Sequence, residues 1–277
     1  MTGWGNSSSC YKTGFSMIKN LILIIYFFTP FFVFTNGNRE PVVNVSISLQ
    51  EQYKNGYFIL RSSDSKLTVI GISNSMLRRQ DEIAAAKEDA ARKIAMYFGI
   101  QGSIEVINST SGNFFDYVHD SSAELIYLTN YEQYIDKLIF DPQIDVLTTN
   151  EGVFIRFQYE VTVSDINYSA RIQSGRPVWT RNQGRPEIEG YVTSVGFSRN
   201  RQKLKDTVLR ATEDAVERMI ADLSTTVKTR EVSATGQGSS SVVQTRSEGK
   251  ISEFRIIEMW IEPGTRSVYV LAIGRGE

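Results

Sequence analysis

Two pairs of adjacent carboxylates, Glu88-Asp89 and Glu213-Asp214, are by type able to act as general acid and base. Both lie in helix-like stretches, where neighbouring residues point about 100° apart. Neither pair converges on one substrate, and both read as solvated helix face. His119 is the only histidine, which removes most metal sites, Ser-His-Asp triads and Cys-His pairs together. The His119-Asp120 dipeptide matches part of a phosphohydrolase metal motif without its further histidines, and His119 reads as a surface loop residue. Gly236-Gln237-Gly238 lacks the third glycine and the lysine of a phosphate loop and precedes a strand-like run. The expectation is a chain that is not an enzyme and uses no cofactor and no metal.

The remaining residues with recognition chemistry are cations and aromatics. Arg171, Arg176, Arg181 and Arg185 surround Trp179 in one interval, a composition able to hold an anionic polymer or a lipid headgroup. Tyr127, Tyr131 and Tyr134 belong to an aromatic stretch with Phe114, Phe115 and Tyr117, which suits either strand packing or a contact surface. These eight, Arg171, Arg176, Trp179, Arg181, Arg185, Tyr127, Tyr131 and Tyr134, are the candidate ligand or partner contacts.

The elements that would position them are read from an internal repeat. Gly71 through Phe98 matches Gly196 through Leu223 without a gap, 125 residues on, with seven identities in 28 positions. Gly71, Ser73, Asp81, Ala86, Glu88, Asp89 and Ala90 meet Gly196, Ser198, Asp206, Ala211, Glu213, Asp214 and Ala215. The apolar positions Ile83, Ala86, Ala90, Ile94 and Phe98 meet Val208, Ala211, Ala215, Met219 and Leu223, which is one face of a 3.6-period helix. A β-branched strand over residues 67–72 precedes a helix over residues 76–98, and Gly99 ends it where a left-handed cap is expected. Residues 103–107 return as a strand. Hairpins follow, turning at Asn150 to Gly152 in the first half and at Pro263-Gly264 in the second.

The fold class is therefore α+β, a tandem duplication of a small β-α-β-hairpin unit, each with one Ala-rich helix on an antiparallel sheet. The first unit spans residues 38–163 and carries about thirteen extra residues near 113–139. This count follows from the 81 residues between Gly71 and Gly152 against the 68 between Gly196 and Gly264. Residues 164–189 form a linker, and residues 190–277 form the second unit. Residues 42–48 and 57–60 read as further strands, and residues 234–241 as a mobile loop tip.

Residues 1–37 read as a secretory signal. Leu21 to Phe34 is apolar apart from Thr29 and Pro30, follows Lys19, and ends in Thr35-Asn36-Gly37. Its fourteen residues fall short of the roughly 20 that span a bilayer as a helix. Met17-Ile18-Lys19-Asn20 has the better n-region, so translation is expected to begin at Met17. The single cysteine, Cys10, precedes this run, so the exported chain would hold no disulfide and no lipid-bearing cysteine. With 30 basic and 31 acidic residues, no global field attracts nucleic acid.

Arg176-Pro177-Val178-Trp179-Thr180, then Gly190-Tyr191 with the strand ending at Gly196, then a helix carrying Ala211, Asp214 and Ala215, resembles the LPP-twenty lipoprotein family. A similar module occurs in the flagellar T-ring protein FlgT. The resemblance covers about 100 residues of the second half and, more weakly, residues 67–161, and departs from the family in lacking the lipobox cysteine. It implies a non-catalytic bacterial cell-envelope or periplasmic protein acting in structure, assembly or protein–protein interaction. The expected partner is an envelope or flagellar protein, or a second copy, with membrane contact through residues 21–34 if these stay uncleaved. The alternative expectation is a binding protein or enzyme for an envelope ligand held between the two units by the arginines and tyrosines above.

Overall fold

The computed structural model describes residues 48–54, 56–111, 116–181, 185–223, 225–233 and 239–277, with backbone alone over 106–111, 116–121, 225–233 and 239–244. The expected signal, residues 42–47 of the strand read over 42–48, Phe114, Phe115 and residues 234–238 of the loop tip read over 234–241 lie outside the described residues; Ser48 is not in a strand, and residues 239–241 belong to a strand rather than a loop because they pair with residues 231–233. In chain order, α1 (Leu49–Lys54) leads to β1 (Tyr57–Ile59) and β2 (Lys66–Asn74), then α2 (Arg79–Phe98), β3 (Ile100–Ser111) and β4 (Asp116–Tyr127). A 3-10 turn at Tyr131–Lys137 precedes β5 (Val146–Thr149) and β6 (Gly152–Glu160). A mostly irregular stretch holds β7 (Ile172–Gln173), β8 (Arg176–Pro177) and a 3-10 turn at Val178–Thr180. Then come β9 (Val192–Ser198), α3 (Leu204–Leu223), β10 (Thr225–Ser233), β11 (Ser239–Ile261) and β12 (Val268–Gly276).

The chain is mixed α+β, with antiparallel sheets and few helices. β2, β6 and β5 make a three-stranded sheet in that order, while β4, β3, β11, β12 and β9 run through a larger sheet in which β1 and β10 also pair with β11. β11 is long enough to serve two neighbourhoods. Residues 241–251 pair with β3 and residues 239–247 pair with β10 on the other edge, whereas its C-terminal half pairs with β12 and β1.

Why the helices lie where they do is visible at two glycines. A Cβ on Gly71 would sit 2.0 Å from the Ala86 carbonyl oxygen, and one on Gly196 would sit 1.9 Å from that of Ala211. Only glycine lets helix backbone and strand backbone approach this far. Ala86, Ala90, Ala91 and Ala95 of α2 are fully buried against Leu67, Ile155 and Phe157 of the small sheet. α3 buries Val208, Ala211, Ala215 and Met219 in a second cluster with Phe58, Phe154 and Phe254. Each fully buried large apolar side chain contributes roughly 1.5–3 kcal/mol.

Several local expectations change. α2 starts at Arg79 rather than 76, because Glu82 accepts the Met76 amide at 3.0 Å and fixes residues 76–78 as an entry loop. Gly99 has φ 147° and ψ 139°, a glycine conformation outside the left-handed helical region. Phe98 is 38% exposed and stacks on Tyr134 with ring centroids 5.2 Å apart, so it covers the end of the helix instead of entering the core beneath it. His119 is no loop residue: it lies in β4 opposite Asn108 of β3. The hydroxyl-rich run around it lacks the apolar alternation that marks a strand.

Asp89 also departs from expectation. It is buried, and accepts the Ile72 amide at 2.9 Å and the Lys93 ammonium at 2.7 Å. At the position 125 residues on, Asp214 accepts the Phe197 amide at 2.8 Å and pairs with Arg218 at 2.9 Å. Each of these carboxylates latches its helix to the strand residue that follows the close-approach glycine.

Candidate functional site

The irregular stretch after β6 crosses the face of the large sheet opposite α3. Trp179 and Ile188 from this stretch share a cluster with Tyr57, Ile257, Trp260, Leu271 and Ile273. Its local shape follows from its sequence. Ser174 and Gly175 both have positive φ, 54° and 73°, as a two-residue β7–β8 hairpin requires. Pro177, with φ −61°, then opens the short turn that carries Trp179.

Beneath this turn lies Glu258, which is fully buried. Its Oε2 accepts from the Trp179 indole N–H and from the Tyr57 hydroxyl, while Oε1 has no hydrogen-bond partner among the described residues. Burial pushes the Glu258 carboxyl above its usual range, although the donors on Oε2 favour its ionised form. Burial and the neighbouring carboxylate in turn push the phenols of Tyr57 and Tyr168 up. Both phenols therefore stay protonated, and that of Tyr57 donates to Oε2.

Above the turn, Asn167, Tyr168, Ser169, Arg171, Val178, Trp179, Arg185, Pro186 and Glu187 line an open cleft of about 500 Å³, within the size range of small-molecule sites. Arg171, Trp179 and Arg185 are thus brought together. Arg185 pairs with Asp222 of α3 at 2.8 Å, whereas Arg171 has no carboxylate partner among the described residues. The other two arginines brace the stretch itself. Arg176 lies over the rings of Trp260 and Tyr269 at 5.2 and 5.4 Å and donates to the Thr180 hydroxyl at 2.7 Å. Arg181 donates to Gln173 at 3.0 Å across the small hairpin.

The tyrosines do not join this cleft. Tyr127 is partly buried beside the α3 cluster, Tyr131 carries Arg92 over its ring at 4.4 Å and hydrogen bonds to Glu88 at 3.3 Å, and Tyr134 is buried with Phe98 and Tyr159. All three serve packing around α2, α3 and the first 3-10 turn. Glu258 was missed from sequence, although a lone acid inside the apolar run Ile256-Ile257-Glu258-Met259-Trp260 was the available signal.

Among the described residues, no group of three or more His, Cys, Asp or Glu side chains could hold a metal ion. No described helix is long and apolar enough to cross a membrane. A different kind of functional surface lies at the sheet margins. β3 and β4 pair over twelve rows and β10 and β11 over nine, and β3 joins the two hairpins through β11. The result is a four-stranded segment in the order β4-β3-β11-β10, whose outer strands β4 and β10 have no second neighbour among the described strands.

No protein-family model, no curated protein and no solved structure matches the chain.

Proposed function

We propose that this chain is a non-catalytic bacterial cell-envelope protein that acts in structure or assembly by offering sheet edges to a protein partner. The observation that carries the reading is the pair of edges, β4 and β10, left open among the described strands on opposite sides of one four-stranded segment. An open strand presents a row of unpaired amides and carbonyls, which a strand of another chain can extend. Export rests on the apolar run Leu21 to Phe34, and the envelope setting on the LPP-twenty-like residues Pro177, Trp179, Gly190, Tyr191 and Gly196. In-cell chemical cross-linking of a C-terminally tagged copy tests the assembly role. Links concentrated on one envelope protein or on a second copy are expected, and a tagged chain that stays unlinked overturns it. An intact mass on the native protein tests export, with loss of residues 1–37 expected.

The same reading makes the two halves copies of one β-α-β-hairpin unit. In its support, β2-β6-β5 and β9-β12-β11 follow the same order, and the glycine approach and aspartate latch recur 125 residues apart. The helix entry recurs too, since the Arg201 amide is accepted by Thr207 as the Met76 amide is by Glu82.

A second reading has one observation in its favour, the 500 Å³ cleft that gathers Arg171, Trp179 and Arg185. On that reading the chain binds an anionic envelope ligand there. Charge reversal at Arg171 abolishes ligand binding if it holds, and leaves cross-linking unchanged if assembly is the only role.

A further inference from the structure

Resting on the edge-pairing reading above, we infer that the partner of the open edges is a second copy of this chain, with β4 of one copy pairing antiparallel to β10 of the next. Strand direction permits it. Every neighbour in the order β4-β3-β11-β10 is antiparallel, so the two outer strands run in opposite directions, and β10 of one copy meets β4 of another in the antiparallel sense.

Height permits it as well. Thr225 pairs with Ser247, Ser247 with Ile104, and Ile104 with Ala123, so Thr225 and Ala123 share a row. The same path puts Glu231 in a row with Tyr117 through Ser241 and Thr110. The two edges therefore face outward over the same seven rows, 225–231 on one side and 117–123 on the other. Neither strand contains proline, so no amide in either row is missing as a donor.

Charge selects a copy over an arbitrary strand. β4 carries Asp116, Asp120 and Glu124 and no lysine or arginine, whereas β10 carries Lys228 and Arg230 against one acid, Glu231. Lys228 shares its row with Asp120 through Gln244 and Ile107. A lysine on an edge ordinarily discourages pairing. Here row-to-row pairing of two copies sets Lys228 opposite Asp120, an opposite-charge cross-strand pair. The contact is head-to-tail, so each copy keeps one free edge for the next, and the assembly grows until it closes on itself.

The test uses the full chain with Cys10→Ser, Asp120→Cys and Lys228→Cys. Within one copy the two positions are three strand spacings apart, about 14 Å, beyond disulfide reach, so any disulfide between them joins two copies. A ladder of oligomers on a non-reducing gel is expected from this variant and none from either single cysteine. Asp120→Lys is expected to weaken association about fivefold by light scattering, and Asp120→Lys with Lys228→Asp to restore it. A monomer without interchain disulfide overturns the inference, as does a charge swap that fails to restore association. In-cell cross-linking from positions 120 and 228 separates the two levels. Links to a different protein overturn self-pairing while edge pairing stands, and no links at all overturn both.

Discussion

The Trp179 indole donates to the Glu258 carboxylate across 79 residues of sequence, pinning the irregular middle stretch to the face of the large sheet. Burial raises the Glu258 pKa in the folded chain, so the folded state binds its proton more tightly than the unfolded state, whose value is about 4.3. The contribution from the neutral form is fully present below the unfolded value and is lost as pH rises through the folded one. Glu258→Gln removes that slope. Urea unfolding at a series of pH values from 4 upward should show wild type losing stability relative to the variant as pH increases; parallel curves would contradict a raised carboxyl.

Trp179→Phe keeps most of the apolar contact and deletes the donor. The loss is expected to be about 1–3 kcal/mol, the cost of leaving a buried acceptor short of a partner. Amide hydrogen exchange should accelerate locally over residues 166–181 and 185–191, and an unchanged exchange pattern would show that the stretch is held by other contacts.

Gly71→Ala and Gly196→Ala each place a methyl about 2 Å from a helix carbonyl oxygen, so strand and helix must separate. Each is expected to cost at least 1–3 kcal/mol. Gly249→Ala is the control, because the nearest atom to its Cβ would be 3.6 Å away, and its unfolding midpoint should barely move.

The repeat was legible because the close approach restricts residue choice at both partners, glycine on the strand and alanine on the helix. The carboxylates beside it were visible as a repeated pair, but their role was not. Burial of Asp89 depends on Lys93 and on the Ile72 amide, and no residue spacing announces the latter. β4 was hidden for a different reason. Its Asp116-Tyr-Val-His-Asp-Ser-Ser run is polar and acquires its ladder from β3, a tertiary pairing that outweighs weak strand propensity. The Glu258 site was the least visible, since Tyr57 and Trp179 reach it from 201 and 79 residues away.

The two latching aspartates should differ in cost despite their matched positions. Asp89 and Lys93 are 8% and 12% exposed, whereas Asp214 and Arg218 are 20% and 58% exposed. Asp89→Ala leaves the partly buried Lys93 ammonium with the Ile70 carbonyl alone and the Ile72 amide without its acceptor, with an expected loss of about 2–4 kcal/mol. Asp214→Ala loses a solvent-screened pair and one amide bond, about 1–2 kcal/mol. Equal losses in urea unfolding would mean that the amide bond, not the ion pair, dominates both sites.

The arginines around Trp179 should divide into braces and free cations. Arg176 lies over two aromatic rings and bonds to Thr180, so Arg176→Ala removes a cation–π contact and a hydrogen bond together, about 1–2 kcal/mol of stability. Arg171 faces the cleft without an acidic partner among the described residues, and Arg171→Ala should leave the unfolding midpoint where it was. The pair of measurements bears on function because only a cation that does not hold the fold is free to hold something else. A stability loss at Arg171 equal to that at Arg176 would make it another brace and remove the cleft's chief reason for attracting an anion.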